Sequence, residues 1–364
     1  MSFYHSLMSK KFHKRNLFVK NAKSHPLSNL LIWVVVLAGL VYGMVFLWPV
    51  VPSQANTPDL HAYKVKIQAQ SSLMSIGEQL AQQGIQTFPL GFFIGARALF
   101  VGSKLKPGTY LFLPNASLGQ ILLQIARGDR VRETIAIIPG MTIWQLRALV
   151  DAHPALIHKT AGMSSKELLS LLNLNYPGDE GLFFPDTYVF DPDELDTKIY
   201  LKASQAMQKQ LTQAWSQKSA ESPLKTPYQL LILSSIVEKE TGKDSDRDLV
   251  AAVFINRLNK GMPLQTDPTI IYGIGPRFDG DIRKSDLRID SPYNTYMHKG
   301  LPPTPIAMPS RESLLAAVHP ANSSALYFVA RGDGSSHFSS TLNEHEDAVN
   351  RYQRKPAAKT RSSK

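Results

Sequence analysis

An uninterrupted apolar run near the N-terminus constrains this chain more than any other sequence feature. Residues 30–51 form a run of 22 positions without a single charged side chain. A helix needs about 20 apolar residues to cross the ~30 Å hydrocarbon core of a bilayer. Trp33 and Trp48 lie near the two ends of the run, where aromatic residues are enriched at membrane interfaces. The run therefore predicts one transmembrane helix over residues 30–51.

The charges on either side of this run predict its orientation. Residues 1–29 contain Lys and Arg but no acidic residue, whereas residues 52–58 carry no charge. The positive-inside rule then predicts a basic cytoplasmic tail over 1–29 and an extracytoplasmic body after the apolar run. A cleaved signal peptide is the alternative, although its apolar core usually spans only ~7–15 residues.

The distribution of charge argues against a nucleic-acid-binding protein. The chain has 40 Lys and Arg against 29 Asp and Glu, a formal net charge of +11. Twelve of the basic residues lie in residues 1–24 and 351–364, which leaves 28 basic against 29 acidic residues between these tails. A basic binding face is therefore not expected on the folded body. The chain contains no cysteine, which excludes thiolate catalysis and thiolate metal sites.

Periodicity and turn residues predict an α+β body in two parts. After a polar tether over 52–61, residues 62–130 show the order strand, helix, helix, strand, helix. Residues 131–350 follow as a larger mixed domain, and residues 351–364 are predicted to be a disordered basic tail. In the larger domain the patterns predict strands over 132–138 and 325–330, and helices ending at Val150 and over 196–215, 227–241 and 248–259.

The helix over 227–241 carries the strongest candidate for chemistry. Thr226 is predicted to be its N-cap, with Pro227 in the first turn and Gln229 completing a capping box. On a helical wheel Glu240 falls within the apolar sector, whereas Glu238 falls beside two serines. Loss of hydration and the negative end of the helix dipole both raise the pKa of a carboxyl group at the position of Glu240.

A glutamate that stays protonated near neutral pH is what general-acid cleavage of a glycosidic bond requires. The pattern alone leaves alternatives open. Glu240 could instead pair with Arg247 or Arg257, or could be exposed at the end of the helix.

Three polar segments are predicted to be loops that could bind sugar. Residues 180–188, 262–273 and 291–296 are rich in aromatic, amide and carboxylate side chains, which suits a carbohydrate cleft. Ordinary turn chemistry is the alternative for each segment. Neither a nucleophile elbow nor a dinucleotide-binding loop is present in the sequence. The spacing typical of a metal site is also not found among His298, His319, His337 and His345.

Several motifs in order resemble one known family. The motifs are IVEKET at 236–241, VFINRL at 253–258, LQTDPT at 264–269, YNTY at 293–296 and GLPP at 300–303. In these residues the chain resembles the membrane-anchored endolytic murein transglycosylases, also called the YceG-like family. The segments 180–188 and 325–330 are also similar to that family. The resemblance covers most of residues 60–350 and leaves out the two basic tails.

The resemblance implies a fold and a set of site residues. It implies a LysM-like glycan-binding subdomain over 62–130 and a catalytic domain over 131–350. It identifies Glu240 as the general acid and base, with Glu238 as the alternative if the motif is offset. It further suggests that substrate is bound by Gln265, Asp267, Asn294 and Tyr296. No metal and no cofactor are implied.

The expected reaction is cleavage of the β-1,4 bond between N-acetylmuramic acid and N-acetylglucosamine within nascent peptidoglycan strands. A 1,6-anhydro end would remain, and the cut could terminate strand elongation. Peptidoglycan strands are then the substrate, and a peptidoglycan polymerase is a candidate partner. Two other functions fit the same features. One is a hydrolase that uses water, and the other is a non-catalytic glycan-binding scaffold of the wall-synthesis machinery.

Overall fold

The computed structural model describes residues 26–53 and 62–354. The chain divides into two compact units, Met1–Arg130 and Val131–Lys364. Most of the predicted cytoplasmic tail and tether and the end of the C-terminal tail lie outside the described residues. Each unit has its own buried core.

The first unit begins with helix α1 (Pro26–Leu47). Within the described residues, Asn29–Leu47 is the one helical segment that is long and apolar enough to cross a membrane. The helix ends four residues before the predicted end at residue 51. Pro49 cannot donate a backbone hydrogen bond, and the next two residues pack into the core of the unit. There the backbone N–H groups of Val50 and Val51 donate to the carbonyl of Ala116 at 2.9 and 3.2 Å.

The rest of this unit follows the predicted order of strand, helix, helix, strand and helix. The elements are β1 (Tyr63–Ile67), α2 (Leu73–Gln82), α3 (Pro89–Ala98), β2 (Gly108–Phe112) and α4 (Leu118–Arg127). Strands β1 and β2 are antiparallel, with Val65 opposite Tyr110. Helices α2 and α3 approach closely at Gly77, where a Cβ atom would lie 2.8 Å from the Cα of Pro89. Alternating side chains of the strands and the inner faces of the helices form the core.

Within its described residues the second unit combines six strands and eight α-helices, an α+β arrangement around one large core. Its first elements are β3 (Glu133–Ala136), α5 (Ile143–Asp151), β4 (Leu156–Ile157), α6 (Ser165–Leu171), β5 (Thr187–Phe190), β6 (Glu194–Leu195) and α7 (Thr197–Trp215). The later elements are α8 (Pro227–Glu240), α9 (Arg247–Asn259), α10 (Asp267–Ile274), α11 (Arg311–Val318), β7 (Tyr327–Ala330), β8 (Ser336–Ser339) and α12 (Leu342–Tyr352). The strands pair two by two: β3 with β5 and β7 with β8 are antiparallel, and β4 with β6 is parallel.

Helix α8 is the central helix of this unit. Every residue from 230 to 237 is buried, and the helix packs against α7, α9 and α11. Thr226 caps its N-terminus by accepting from the backbone N–H of Gln229 at 3.1 Å. The predicted capping box is wrong, because the Gln229 side chain accepts from the N–H of Lys225, one residue before the cap, at 2.6 Å. The last turn of α8 reaches the edge of the core and carries the two candidate glutamates.

A predicted loop and the predicted C-terminal tail also differ from the structure. Residues 262–273 were expected to form a loop, but α10 occupies the whole second half of that segment. The Asp267-Pro268 pair reads as a turn in isolation, yet proline is well tolerated in the first turn of a helix because its missing N–H has no helical partner there. At the C-terminus α12 continues to Tyr352, so the first residues of the predicted disordered tail are helical.

Candidate active site

Four of the predicted site residues meet at one cavity of about 610 Å³ in the second unit. Glu240 enters it from the end of α8, Asp267 from the start of α10 and Gln265 from the segment just before that helix. Tyr296 enters it from the loop over 291–296. The opposite wall is formed by β7 and α12, with side chains that are mainly apolar and aromatic, among them Tyr327, Phe328, Val329, His345 and Val349.

The Glu240 carboxylate has one hydrogen-bond donor among the described residues. The hydroxyl of Thr266 donates to its Oε1 atom in a short hydrogen bond. Burial raises the pKa of Glu240, and the negative charge of nearby Asp267 raises it further, whereas the Thr266 hydroxyl lowers it. The net direction is upward, because loss of hydration disfavours the charged carboxylate more than one hydroxyl donor favours it.

The alternative in which Glu240 pairs with an arginine is wrong. Arg257 is buried, but its guanidinium donates to the carbonyls of Leu326 and Leu264 at 2.7 and 2.9 Å. Arg247 donates to Asp244 at 2.8 Å. Neither guanidinium therefore neutralises the Glu240 carboxylate.

Glu238 occupies a different environment, although it is only two residues away. Its Oε2 atom accepts from the backbone N–H of Ser310 at 2.9 Å and from the hydroxyls of Ser310 and Ser313 at 2.5 and 2.7 Å. These donors lie at the N-terminus of α11, where a negative charge is also favoured by the helix dipole. Glu238 does not line the Glu240 cavity, and its contacts tie α8 to α11.

Hydrogen bonds join the two segments that carry the other predicted site residues. The Tyr296 hydroxyl donates to Asp267 Oδ1 at 2.6 Å. The Thr266 N–H donates to Thr295 Oγ1 at 3.1 Å, and the Gln265 N–H donates to the carbonyl of Thr295 at 3.0 Å. Burial and the Asp267 charge raise the pKa of Tyr296, so its hydroxyl remains a hydrogen-bond donor at neutral pH.

Gln265 adopts an uncommon backbone conformation at the cavity wall. Its φ is +49°, in the left-handed region that residues other than glycine seldom occupy. Its Oε1 atom accepts from Arg257 Nη1 at 3.3 Å, and the Arg257 guanidinium lies over the ring of Tyr327 at 5.1 Å from the centroid. Arg257 thus holds both Gln265 and the opposite wall in place.

The structure does not bring Asn294 to the Glu240 cavity. Its side chain is buried, and its Nδ2 group donates to the carbonyls of Leu287 and Ile289 at 3.1 and 2.8 Å. Its Oδ1 atom accepts from the backbone N–H groups of Tyr296 and Met297 at 3.0 and 3.3 Å. Both ends of the amide are therefore used within the loop. Its contact with substrate stays a prediction, while the geometry supports a part in shaping the loop that presents Tyr296.

Sequence reasoning missed several residues of this cavity. Thr266, which donates to Glu240, lies inside a quoted motif, but nothing in its type or spacing indicates its partner. Arg257 was considered only as a partner of Glu240, not as a clamp on Gln265. Nothing in the sequence indicated that α12, including His345, lines the cavity, because an amphipathic helix of this kind is typical of any protein surface. Burial lowers the pKa of His345, which favours its neutral form.

A second buried carboxyl group belongs to the predicted loop over 180–188. Glu180 accepts from the N–H of Ile143 at 2.9 Å and from its neighbour Gly181 at 3.1 Å. Burial raises the pKa of Glu180 to about 8. The ring of Tyr272, which hydrogen-bonds Glu180, stacks on Trp144 with centroids 4.9 Å apart. Glu180 does not line the Glu240 cavity.

Among the described residues, one group of three side chains could hold a metal ion, namely Asp151, His158 and Asp196. None of the three lines the cavity of Glu240. The chemistry open to the cavity itself is therefore that of a half-buried carboxyl group of raised pKa with a hydroxyl donor, flanked by an Asp–Tyr pair and faced by aromatic side chains.

Comparisons with known proteins agree on one family. The model of the YceG-like family matches residues 65–351. An endolytic murein transglycosylase of Bacillus subtilis (strain 168) is 39% identical over 180 residues, which are 50% of this chain and 49% of that protein. An endolytic murein transglycosylase of Streptococcus pneumoniae serotype 2 is 29% identical over 364 residues, which cover 90% of this chain and 65% of that protein. The chain thus spans between about half and less than two thirds of these relatives.

A solved structure supports the same relationship. The crystal structure of a YceG-like protein from Listeria monocytogenes aligns with a TM-score of 0.53 at 31% sequence identity, covering 79% of this chain and 99% of that chain. Since the family model spans most of the described residues and the crystal structure is matched over nearly its whole length, the chain belongs to the YceG-like family.

Proposed function

We propose that this chain is an endolytic murein transglycosylase, a lyase that cleaves peptidoglycan glycan strands internally. The observation that carries the proposal is the Glu240 carboxyl group. This group faces a large cavity, and its pKa is raised. Among the described residues it has no cationic partner. The relatives from Bacillus subtilis and Streptococcus pneumoniae bear the name of this activity, and the motif that contains Glu240 lies within the segment that matches the family.

In the first step protonated Glu240 donates its proton to the oxygen that bridges N-acetylmuramic acid and N-acetylglucosamine. The bond between muramoyl C1 and this oxygen breaks, and positive charge develops at C1 as in other glycosidic cleavages. The acetamido oxygen at C2 of the substrate stabilises that charge, so a nucleophile from the protein is not needed. The N-acetylglucosamine portion leaves with a free 4-hydroxyl group.

In the second step Glu240, now a carboxylate, accepts the proton of the muramoyl C6 hydroxyl. The C6 oxygen attacks C1 and forms the 1,6-anhydro ring, which restores the protonated acid. Because the nucleophile belongs to the same sugar, the step has the entropic advantage of an intramolecular reaction. The Thr266 hydroxyl, which donates to Glu240, holds the carboxyl group in one orientation through both steps.

The remaining cavity residues have polar and apolar parts that suit a sugar chain. Gln265 and the Asp267–Tyr296 pair supply donors and acceptors for hydroxyl and acetamido groups. Tyr327 and Phe328 on the opposite wall supply ring faces for the apolar face of a sugar. In this proposal the cavity is part of a carbohydrate cleft, and Asn294 acts by holding the loop that carries Tyr296.

The first unit has two proposed roles, membrane anchoring by α1 and glycan binding by the portion that follows. Helix α1 anchors the chain in the inner membrane, with the basic N-terminal tail in the cytoplasm and residues 62–354 on the periplasmic side. The portion over residues 62–130 acts as a LysM-like glycan-binding subdomain, which its antiparallel strand pair joined by two helices supports. Anchoring near newly made strands would allow a cut to set their length and would place the enzyme beside a peptidoglycan polymerase.

The test uses the full-length chain in detergent micelles, incubated with glycan strands that carry no cross-links. Wild type, Glu240→Gln and the matched control Glu238→Gln are compared, and products are identified by mass spectrometry. We expect internal fragments that end in 1,6-anhydromuramic acid with wild type and the control, and none with Glu240→Gln. Reducing ends heavier by one water would show a hydrolase instead. Strand binding without any cleavage would show a glycan-binding scaffold.

A further inference from the structure

Three potential metal ligands lie close together at a place that does not line the Glu240 cavity. Asp151 is the last residue of α5, His158 follows β4, and Asp196 follows β6 immediately before α7. The parallel pairing of β4 with β6 places residues 158 and 196 side by side. One ligand atom from each of the three side chains lies within 4.8 Å of the other two. Asp151 and His158 are exposed, and Asp196 is fully buried.

The Asp196 side chain provides a second, independent observation that points to a cation at this cluster. Its Oδ2 atom accepts from the N–H and the hydroxyl of Thr160 at 2.9 and 2.7 Å. Its Oδ1 atom is buried and has no hydrogen-bond partner. Asp196 stands at the N-cap of α7, where an aspartate usually caps the helix, but its side chain makes no such bond. A buried carboxylate oxygen without a partner is costly, so native proteins usually pair it with a donor or a cation.

The neighbouring Arg147 guanidinium does not form a hydrogen bond with Asp196 Oδ1. The Arg147 guanidinium, on the same helix as Asp151, donates to Asp179 at 2.6 Å and to the carbonyl of Met163 at 2.5 Å. Within residues 26–53 and 62–354, no ion pair involves Asp196 or Asp151. Asp151 also lies at the C-terminus of α5, where the exposed helix carbonyls favour positive charge.

We propose that Asp151, His158 and Asp196 bind a divalent transition-metal ion of the Zn²⁺ type. One imidazole and two carboxylates form a nitrogen and oxygen donor set that suits such ions better than Ca²⁺ or Mg²⁺, which favour oxygen ligands alone. Three protein ligands leave a fourth position for water. Asp196 Oδ1 supplies the buried ligand, and the metal replaces the partner that this oxygen lacks.

The geometry needs only small side-chain movements to close on a metal. Ligand atoms around a tetrahedral Zn²⁺ at about 2.1 Å lie roughly 3.4 Å from one another. The two exposed side chains can rotate inward by the remaining distance, while Asp196 is held by Thr160. The bound ion would then link the end of α5 to the start of α7, with His158 at the end of β4 as the third ligand. This is a structural site, distinct from the reaction proposed for Glu240.

The test measures metal binding and thermal stability of the full-length chain in detergent, carrying a purification tag without histidine. The protein is stripped with a chelator, exchanged into chelator-free buffer and titrated calorimetrically with Zn²⁺, Mn²⁺, Ca²⁺ or Mg²⁺. We expect one Zn²⁺ per chain and a higher Tm at saturation, because an ion that binds the folded state stabilises it. His158→Ala, Asp151→Asn and Asp196→Asn should each weaken Zn²⁺ binding at least about 10-fold.

A matched control separates this cluster from surface histidines in general. His298 Nε2 lies 2.7 Å from Asp290 Oδ1 on an exposed segment, so His298→Ala removes another His–Asp pair and should leave Zn²⁺ binding unchanged. The proposal is overturned if wild type binds no Zn²⁺ tighter than about 1 mM, or if the three cluster variants bind as wild type does. Preferential binding of Ca²⁺ or Mg²⁺ would also overturn the assigned class of ion. Because Asp151 and His158 are exposed, these two variants remain informative if Asp196→Asn does not fold.

Discussion

The two sides of the last turn of α8 carry the same side chain in opposite environments. Glu238 accepts three hydrogen bonds from two serines at the start of α11. Glu240 accepts one, from Thr266, and faces a cavity. The Glu238 side is an interface between two helices, whereas the Glu240 side is a wall that a substrate could reach.

The difference shows how one helix can separate stability from chemistry. A carboxylate that accepts hydrogen bonds from several donors is fixed in one orientation, which suits a structural link between helices. A carboxyl group with few donors and partial burial keeps its proton to higher pH and has acceptor capacity to spare. The second condition suits a general acid, and it comes at the expense of local stability.

The largest expected effect separates the two glutamates by activity. We expect Glu240→Gln to lower the rate of strand cleavage about 10²–10⁴-fold, since it removes the proton donor, while Tm stays at or above that of wild type. Glu238→Gln should retain cleavage by the folded fraction of the protein. Rates on un-crosslinked strands and melting curves of both variants provide the measurement. Equal loss of activity in the two variants at equal Tm would remove the distinction.

The second prediction concerns stability, for which we expect Glu238 to matter more than Glu240. Glu238→Ala leaves three donors without their acceptor at the interface of α8 with α11. We expect the free energy of unfolding to fall by roughly 2–4 kcal/mol, because the buried Ser310 and Ser313 would keep the cost of lost hydration without their hydrogen bonds. Ser313→Ala, which removes one of the three donors, should have a smaller effect. Thermal melting of both variants tests this order, and an unchanged Tm for Glu238→Ala would contradict it.

A third prediction concerns Glu180, a buried carboxyl group outside both environments. Its pKa is raised by burial from 4.5 to about 8. Between these pH values the unfolded chain loses the proton while the folded chain keeps it, so this group makes the folded state less stable as pH rises from about 4.5 to about 8. Glu180→Gln should flatten that decline. Melting curves from pH 4 to 9 test this, with Glu167→Gln as a control at an exposed carboxylate whose pKa is lowered instead.

The smallest expected effect concerns the contribution of the Thr266 hydroxyl to the pKa of Glu240. Thr266→Val removes the hydroxyl whose hydrogen bond lowers the Glu240 pKa, so the pKa should rise further. A general acid must be protonated, and the alkaline limb of the pH profile of kcat/KM should therefore move to higher pH. Thr266→Ser, which keeps the hydroxyl, should leave the profile in place. A shift to lower pH with valine would show that Glu240 does not act as the acid.

The sequence supported much of this structure wherever the signal was local. The long apolar run, the helix that carries Glu240 and the order of elements over 62–130 were predicted from periodicity and turn residues. Helix α10 was missed because the Asp-Pro pair at its start is equally typical of turns. Asn294 was expected at the site from the family resemblance, yet its amide hydrogen-bonds the backbone of residues 287–297.

By itself the sequence determined the direction of the two glutamates, because residues two positions apart on a helix differ by about 200° around its axis. The tertiary structure alone decided what each one meets. The donors of Glu238 come from 72 and 75 residues further along the chain, and the donor of Glu240 from 26 residues further. The period of a helix is a property of neighbouring residues, whereas the burial, hydrogen bonds and pKa of a side chain depend on distant segments brought together by folding.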